Sequence, residues 1–169
     1  MGLDMYLYIR KTEYCTHRFK TEGSDLKFEL PKDASRFFPD PFNLRILRET
    51  TYEIGYWRKA NAIHNWFLEN CAARDKWADP IDDCRPIEVP VEKLEELLDD
   101  CKKVLEDHSL ATELLPTKDG FFFGSIEYDE DYFDAIEDTI DIIEPVIDFM
   151  KSNIENKDNT WGVIYQASW

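Results

Sequence analysis

Trp57, Arg58, Lys59, Asn61 and His64 stand together in residues 56–67, where this 169-residue chain interleaves large aromatics and varied polar groups most tightly. These residue types suit one kind of chemistry. Arg and Lys hold phosphates, Asn and His read a base or ribose edge, and an aromatic ring stacks on a base. Asp4 near the start, and Phe122 and Ser125 around Phe121-Phe122-Phe123, are placed with them. The candidate set for a small anionic or nucleotide-like ligand is Asp4, Trp57, Arg58, Lys59, Asn61, His64, Phe122 and Ser125. No residue is assigned a catalytic role, and no cofactor or metal is expected.

The element that must position most of this set reads as a helix over residues 56–72. At about 100° per residue, Arg58, Asn61 and Asn65 fall in one stripe with His64 and Trp57 on its flank. Tyr56, Ile63, Trp66 and Phe67 take the other side, so apolar residues occur nearly all the way round, as in a buried helix. Polar groups inside such a helix need partners, because an unpaired buried group costs several kcal/mol. Either a ligand supplies them, or the fold does, with Arg58 paired to an acid such as Asp4.

Around that helix, Leu3, Met5, Leu7 and Ile9 alternate with Asp4, Tyr6 and Tyr8, the period of a strand with two unlike faces. Residues 26–30 are a second short strand candidate. Residues 44–54 read as a strand in which Thr50, Tyr52 and Ile54 share a face, ending at Gly55. Residues 87–89 are extended, and Pro90 opens an amphipathic helix carrying Leu94, Leu97, Leu98, Cys101, Val104 and Leu105 at helical spacing. A helical piece at 110–115 follows. Phe121 to Ser125 reads as a short strand or buried loop, with Phe121 and Phe123 on one face and Phe122 on the other. A third helix covers 132–152, with a core stripe of Phe133, Ile136, Ile140, Ile143, Ile147 and Met150 that Pro145 should kink or split. Residues 161–166 close the chain as a strand. The prediction is one α+β domain over residues 1–169, with a mostly antiparallel sheet that includes both terminal strands and packs on about three main helices.

Composition narrows the partners. A net charge of -16 and a pI near 4.5 repel nucleic acid and anionic membranes and suit basic partners. No basic stripe is present for a phosphate backbone. An acidic chain can still imitate DNA and occupy a basic protein surface. Cys15, Cys71, Cys84 and Cys101 contain no Cys-x-x-Cys pair, and with His17, His64 and His108 they fit no zinc spacing, so reduced thiols are expected. No apolar run approaches the ~18 residues that cross a membrane, and no signal peptide is evident, so a cytoplasmic location is expected. Residues 126–148 carry ten acidic residues and no basic one. Asp131, Asp134, Asp138 and Asp141 recur there at helical spacing, as a solvated face would, with no Glu-x-x-His to suggest a metal.

Two resemblances bear on function. Arg58 and His64, in an Arg-x5-His arrangement, resemble the signature of the HEPN ribonuclease superfamily, which implies action of that pair at an RNA phosphate. A wider resemblance rests on Met1-Gly2-Leu3-Asp4-Met5-Tyr6-Leu7, Gly55 to His64, Leu114-Leu115-Pro116-Thr117 with Gly120 to Ser125, and Tyr165-Gln166-Ala167-Ser168-Trp169. These blocks look like a family of small proteins encoded by bacteriophages and prophages. The resemblance implies an accessory role in infection, and no catalytic role transfers with it. The leading expectation is a non-enzymatic binder that sequesters a nucleotide-like signal of host defence. An acidic DNA mimic that binds a basic host protein and a ribonuclease using Arg58 and His64 are the alternatives.

Overall fold

Alternation at the start of the chain sets the sheet. In the computed structural model, which describes residues 2–16, 45–153 and 159–169, β1 (Asp4–Thr16) buries Met5, Leu7 and Ile9 on one face and leaves Asp4, Tyr6 and Tyr8 on the other. It pairs antiparallel with β2 (Arg45–Arg58) on one side and β4 (Asn159–Ser168) on the other. A short β3 (Ile87–Val89) completes the order β2-β1-β4-β3 beyond β4. The architecture is α+β, and the first and last strands described lie side by side in its interior, as their apolar alternation requires.

Helices cover the apolar face. α1 (Asn61–Cys71) brings Ile63, Trp66, Phe67 and Leu68 to the core, and α2 (Val91–Glu106) brings Leu94, Leu97, Cys101 and Val104. A 3-10 turn at His108–Leu110 leads into the short α3 (Ala111–Leu114). α4 (Glu130–Asn153) lays Ile136, Ile143, Ile147 and Met150 into the same core. Of the kink or split expected at Pro145, the split does not occur: the proline lies inside an undivided α4. The proline side is exposed while Val146 and Ile147 are buried, so packing of the stripe outweighs one lost helical hydrogen bond.

Two boundaries differ from the sequence reading. The helix expected over 56–72 begins only at Asn61, because β2 continues through Arg58. Tyr56, Trp57 and Arg58 alternate exposed, buried, exposed, and they pair with Tyr6, Met5 and Asp4. Strand pairing with β1 satisfies more backbone groups there than a helical turn beginning beside Gly55 would. Residues 121–125 form a turn, not a strand: Phe123 donates its backbone N–H to the carbonyl of Gly120. The strand expected at 26–30 lies outside the described residues.

A bulge at Ile54 aims the end of β2. Register runs Leu7↔Gly55 and then Tyr8↔Glu53, so Ile54 is the extra residue and alternation inverts across it. Beyond the bulge, Gly55 and Trp57 turn toward the helices. Gly55 is required by close approach, because a Cβ there would lie 2.4 Å from Cγ2 of Ile142 on α4. Gly55→Ala should destabilise the protein by roughly 1–3 kcal/mol through overpacking. Adding Ile142→Ala should recover part of that loss in a double-mutant cycle read by urea unfolding. Strictly additive losses would show that the two positions do not press on each other.

Candidate functional site

The ends of β1, β2 and β4 meet at one edge of the molecule. Leu3 ties that edge together, donating its N–H to the carbonyl of Phe122 at 3.0 Å and accepting from the N–H of Lys59 at 2.8 Å. Cross-strand pairing then sets rows on the outer face: Arg58, Asp4 and Ser168 in one, Tyr56, Tyr6 and Gln166 in the next. Tyr56 donates its hydroxyl to Asp4 Oδ1 at 2.6 Å, and that bond to a carboxylate raises the Tyr56 phenol above its ordinary range. Tyr6 lies against both Tyr8 and Tyr56, with ring centroids 6.0 and 5.4 Å apart.

Two cations converge here. The Arg58 side chain is 62% exposed and its Nε stands 3.9 Å from Asp4 Oδ1, the outer limit of an ion pair. Lys59 makes no ion pair among the described residues. A Cβ on Gly2 would lie 3.6 Å from Lys59 Cε and 3.7 Å from Arg58 Nε, so both side chains bracket the Gly2 backbone. Lys59 holds φ near +60°, a conformation that a long side chain adopts only where its surroundings impose it. Its stem packs at Gly124, where φ is +92° and a Cβ would lie 3.0 Å from the Cβ of Lys59.

The side chain of Asn61 is engaged by the protein's own backbone. Its buried amide donates Nδ2 to the carbonyls of Phe123 (3.1 Å) and Ser125 (2.7 Å), and Oδ1 accepts from the N–H of Lys118 (3.1 Å). One side chain at the first turn of α1 thus clasps the 118–125 loop. Ser125 serves through its carbonyl, while its hydroxyl accepts from the N–H of Glu127. Inside the loop, Phe121 is exposed, Phe122 is half-buried and Phe123 is core, against His64 and Trp169. The alternation expected of an extended Phe121–Phe123 is replaced by this turn, and Phe121 and Phe123 do not share a face.

Trp57 and His64 lie on the inner side of the sheet, away from Arg58. Trp57 is buried and donates Nε1 to Thr139 Oγ1 at 2.9 Å, so it is core and presents no stacking surface. His64, 1% exposed, holds the hydroxyl of Tyr165 at 2.7 Å through Nδ1, and its Nε2 lies 3.3 Å from Asp82 Oδ1. Burial and the nearby Asp82 carboxylate push the Tyr165 phenol well above its ordinary value. The structure therefore brings Asp4, Arg58 and Lys59 together, binds Asn61, Phe122 and Ser125 into the loop beside them, and puts Trp57 and His64 on the inner side, where His64 packs on Phe123 of that loop.

Residues that the sequence reading passed over complete the picture. Tyr6, Tyr8, Tyr56, Gln166 and Ser168 belong to the outer face, and their strand alternation was a signal that could have found them. Asp82 lies in the 73–86 connection and reaches His64 with no local spacing to announce it. Among the described residues, no group of three His, Cys, Asp or Glu side chains stands close enough to hold a metal, and no helix is long and apolar enough to cross a membrane. Cys71, Cys84 and Cys101 carry no disulfide. No protein-family model, curated protein or solved structure matches the chain.

The two polar residues at this corner should respond oppositely to truncation. Asn61→Ala leaves the half-buried N–H of Lys118 and the carbonyls of Phe123 and Ser125 without their partner, and should cost about 2 kcal/mol or more. Arg58→Ala removes one exposed, long ion pair and should stay within about 1 kcal/mol of wild type. Chemical denaturation of both variants checks the contrast; equal losses would contradict these roles.

Proposed function

We propose that the chain is a non-enzymatic binder of a small anionic, nucleotide-like ligand at the outer corner formed by β1, β2 and β4. The observation that carries this reading is the convergence of Arg58 and Lys59 beside Gly2, next to the exposed Tyr56 ring and the half-buried Tyr6, in a chain of net charge -16. Arg58 and Lys59 receive the phosphate, the Tyr56 ring stacks on the base, and Asp4, Gln166 and Ser168 supply hydrogen bonds to a ribose or base edge. Tyr56 takes the stacking role first assigned to Trp57. The resemblance to bacteriophage-encoded proteins supports the setting: an accessory protein that sequesters a nucleotide-like signal of host defence.

One observation favours a second reading. Asp131, Asp134, Asp138 and Asp141 are all exposed along α4, the arrangement an acidic decoy would turn toward a basic protein. Isothermal titration calorimetry separates the two. Nucleoside mono- and diphosphates should bind saturably, adenosine and inorganic phosphate each more weakly. Arg58→Ala should weaken the nucleotides by roughly tenfold or more, with an unchanged melting temperature. Absence of heat with every nucleotide, together with low-salt binding to a basic DNA-binding protein, would replace the first reading with the second.

A further inference from the structure

Asp82 and His64 form a separate polar pair that the outer corner does not use. His64 Nε2 and Asp82 Oδ1 are both buried and stand 3.3 Å apart, yet neither has an aligned hydrogen-bond partner among the described residues. Burying such groups unpaired is costly, and it is more so for a carboxylate. His64 and Asp82 line a cavity of about 10 Å³ together with Arg85, Tyr165 and Trp169. That volume is about what a single oxygen atom needs.

The hydrogen-bonding roles follow from the neighbours. The Tyr165 phenol keeps its proton, because burial and Asp82 both disfavour its ionisation, and it donates to His64 Nδ1. The reverse tautomer would turn a bare Nε2 lone pair toward the Asp82 carboxylate, which is repulsive. Nε2 therefore carries the N–H. A group beside the pair that reaches both atoms must accept from His64 and donate to Asp82, and a hydroxyl does both through one oxygen.

We propose that this cavity is the seat for one hydroxyl of a small polyol or sugar, bridging His64 Nε2 and Asp82 Oδ1 from the side. The rest of the ligand would lie at the mouth. Trp169, half-exposed and edge-on to His64 with ring centroids 5.6 Å apart, offers an apolar face there to the ligand's C–H groups. Arg85, exposed and paired with Asp83, offers donors at the rim. This site stands on observations independent of the anion-binding corner.

The test is a titration of the full chain, isotopically labelled, with D-ribose, D-glucose and glycerol in turn, following the imidazole nitrogens of His64 by NMR. Saturable shifts are expected with at least one of the three. Asp82→Asn, which exchanges an acceptor for an amide, should weaken that response roughly tenfold or more, because an unmatched buried polar group rejects the ligand. Arg58→Ala should leave it intact. Amide spectra of each variant report whether the fold survives, and Asp82→Ala serves if the asparagine variant unfolds. Silence with all three compounds would mean that the cavity seats a water only, and would overturn the proposal. So would a response unchanged by either Asp82 variant, or one lost in Arg58→Ala.

Discussion

The buried amide of Asn61 is the interaction on which this corner of the molecule depends. It sits at the first turn of α1 and satisfies three backbone groups of the 118–125 loop at once. The loop in turn supplies the Phe122 carbonyl that receives the N–H of Leu3. Leu3 then holds the backbone of Lys59. A closed circuit of hydrogen bonds therefore links α1, the loop, the start of β1 and the end of β2. No charged group is buried in it, so the circuit avoids the desolvation cost of an internal ion pair. With Asn61 inside, Arg58 and Lys59 are left outside.

That division of labour is a consequence of strand geometry. Successive residues at the end of β2 point to opposite faces, so Trp57 must enter the core if Arg58 and Tyr56 are to face out. The bulge at Ile54 sets which of them does which. Without it, the parity of β2 would send Trp57 to the outer face and Arg58 against the helices, where an unpaired guanidinium could not be accommodated. Positive φ at Lys59 is the local cost of turning from strand to helix within two residues.

Much of the architecture was legible in the sequence because it was written as period. Leu3 to Ile9 alternates, the α2 and α4 stripes recur at helical spacing, and Pro90 marks a real boundary, whereas Gly55 lies inside β2. The site was legible only in composition. The stretch from Tyr56 to His64 stands out for its polar and aromatic content, but strand and helix share it, and a helical projection superimposes residues that face opposite ways. Apolar content all the way round was read as one buried helix, whereas Tyr56, Trp57 and Arg58 are governed by pairing with β1, which lies far off in sequence. The three phenylalanines misled for a related reason. Alternation applies to extended chain, and Gly120 allows a turn in which only Phe123 goes inside. Asp82 had no local signal, because its relation to His64 and Tyr165 exists only after the sheet and α1 have packed.

In the proposed function, the corner fixed by Asn61 and exposing Arg58, Lys59 and the tyrosine face is where a nucleotide-like ligand binds. Chemical-shift mapping of the backbone amides during addition of a nucleoside diphosphate tests it most directly. Shifts concentrated in residues 2–6, 56–59 and 166–168 are expected, with α2 and α4 unaffected. Shifts confined to α2 and α4, or none at saturating nucleotide, would contradict it.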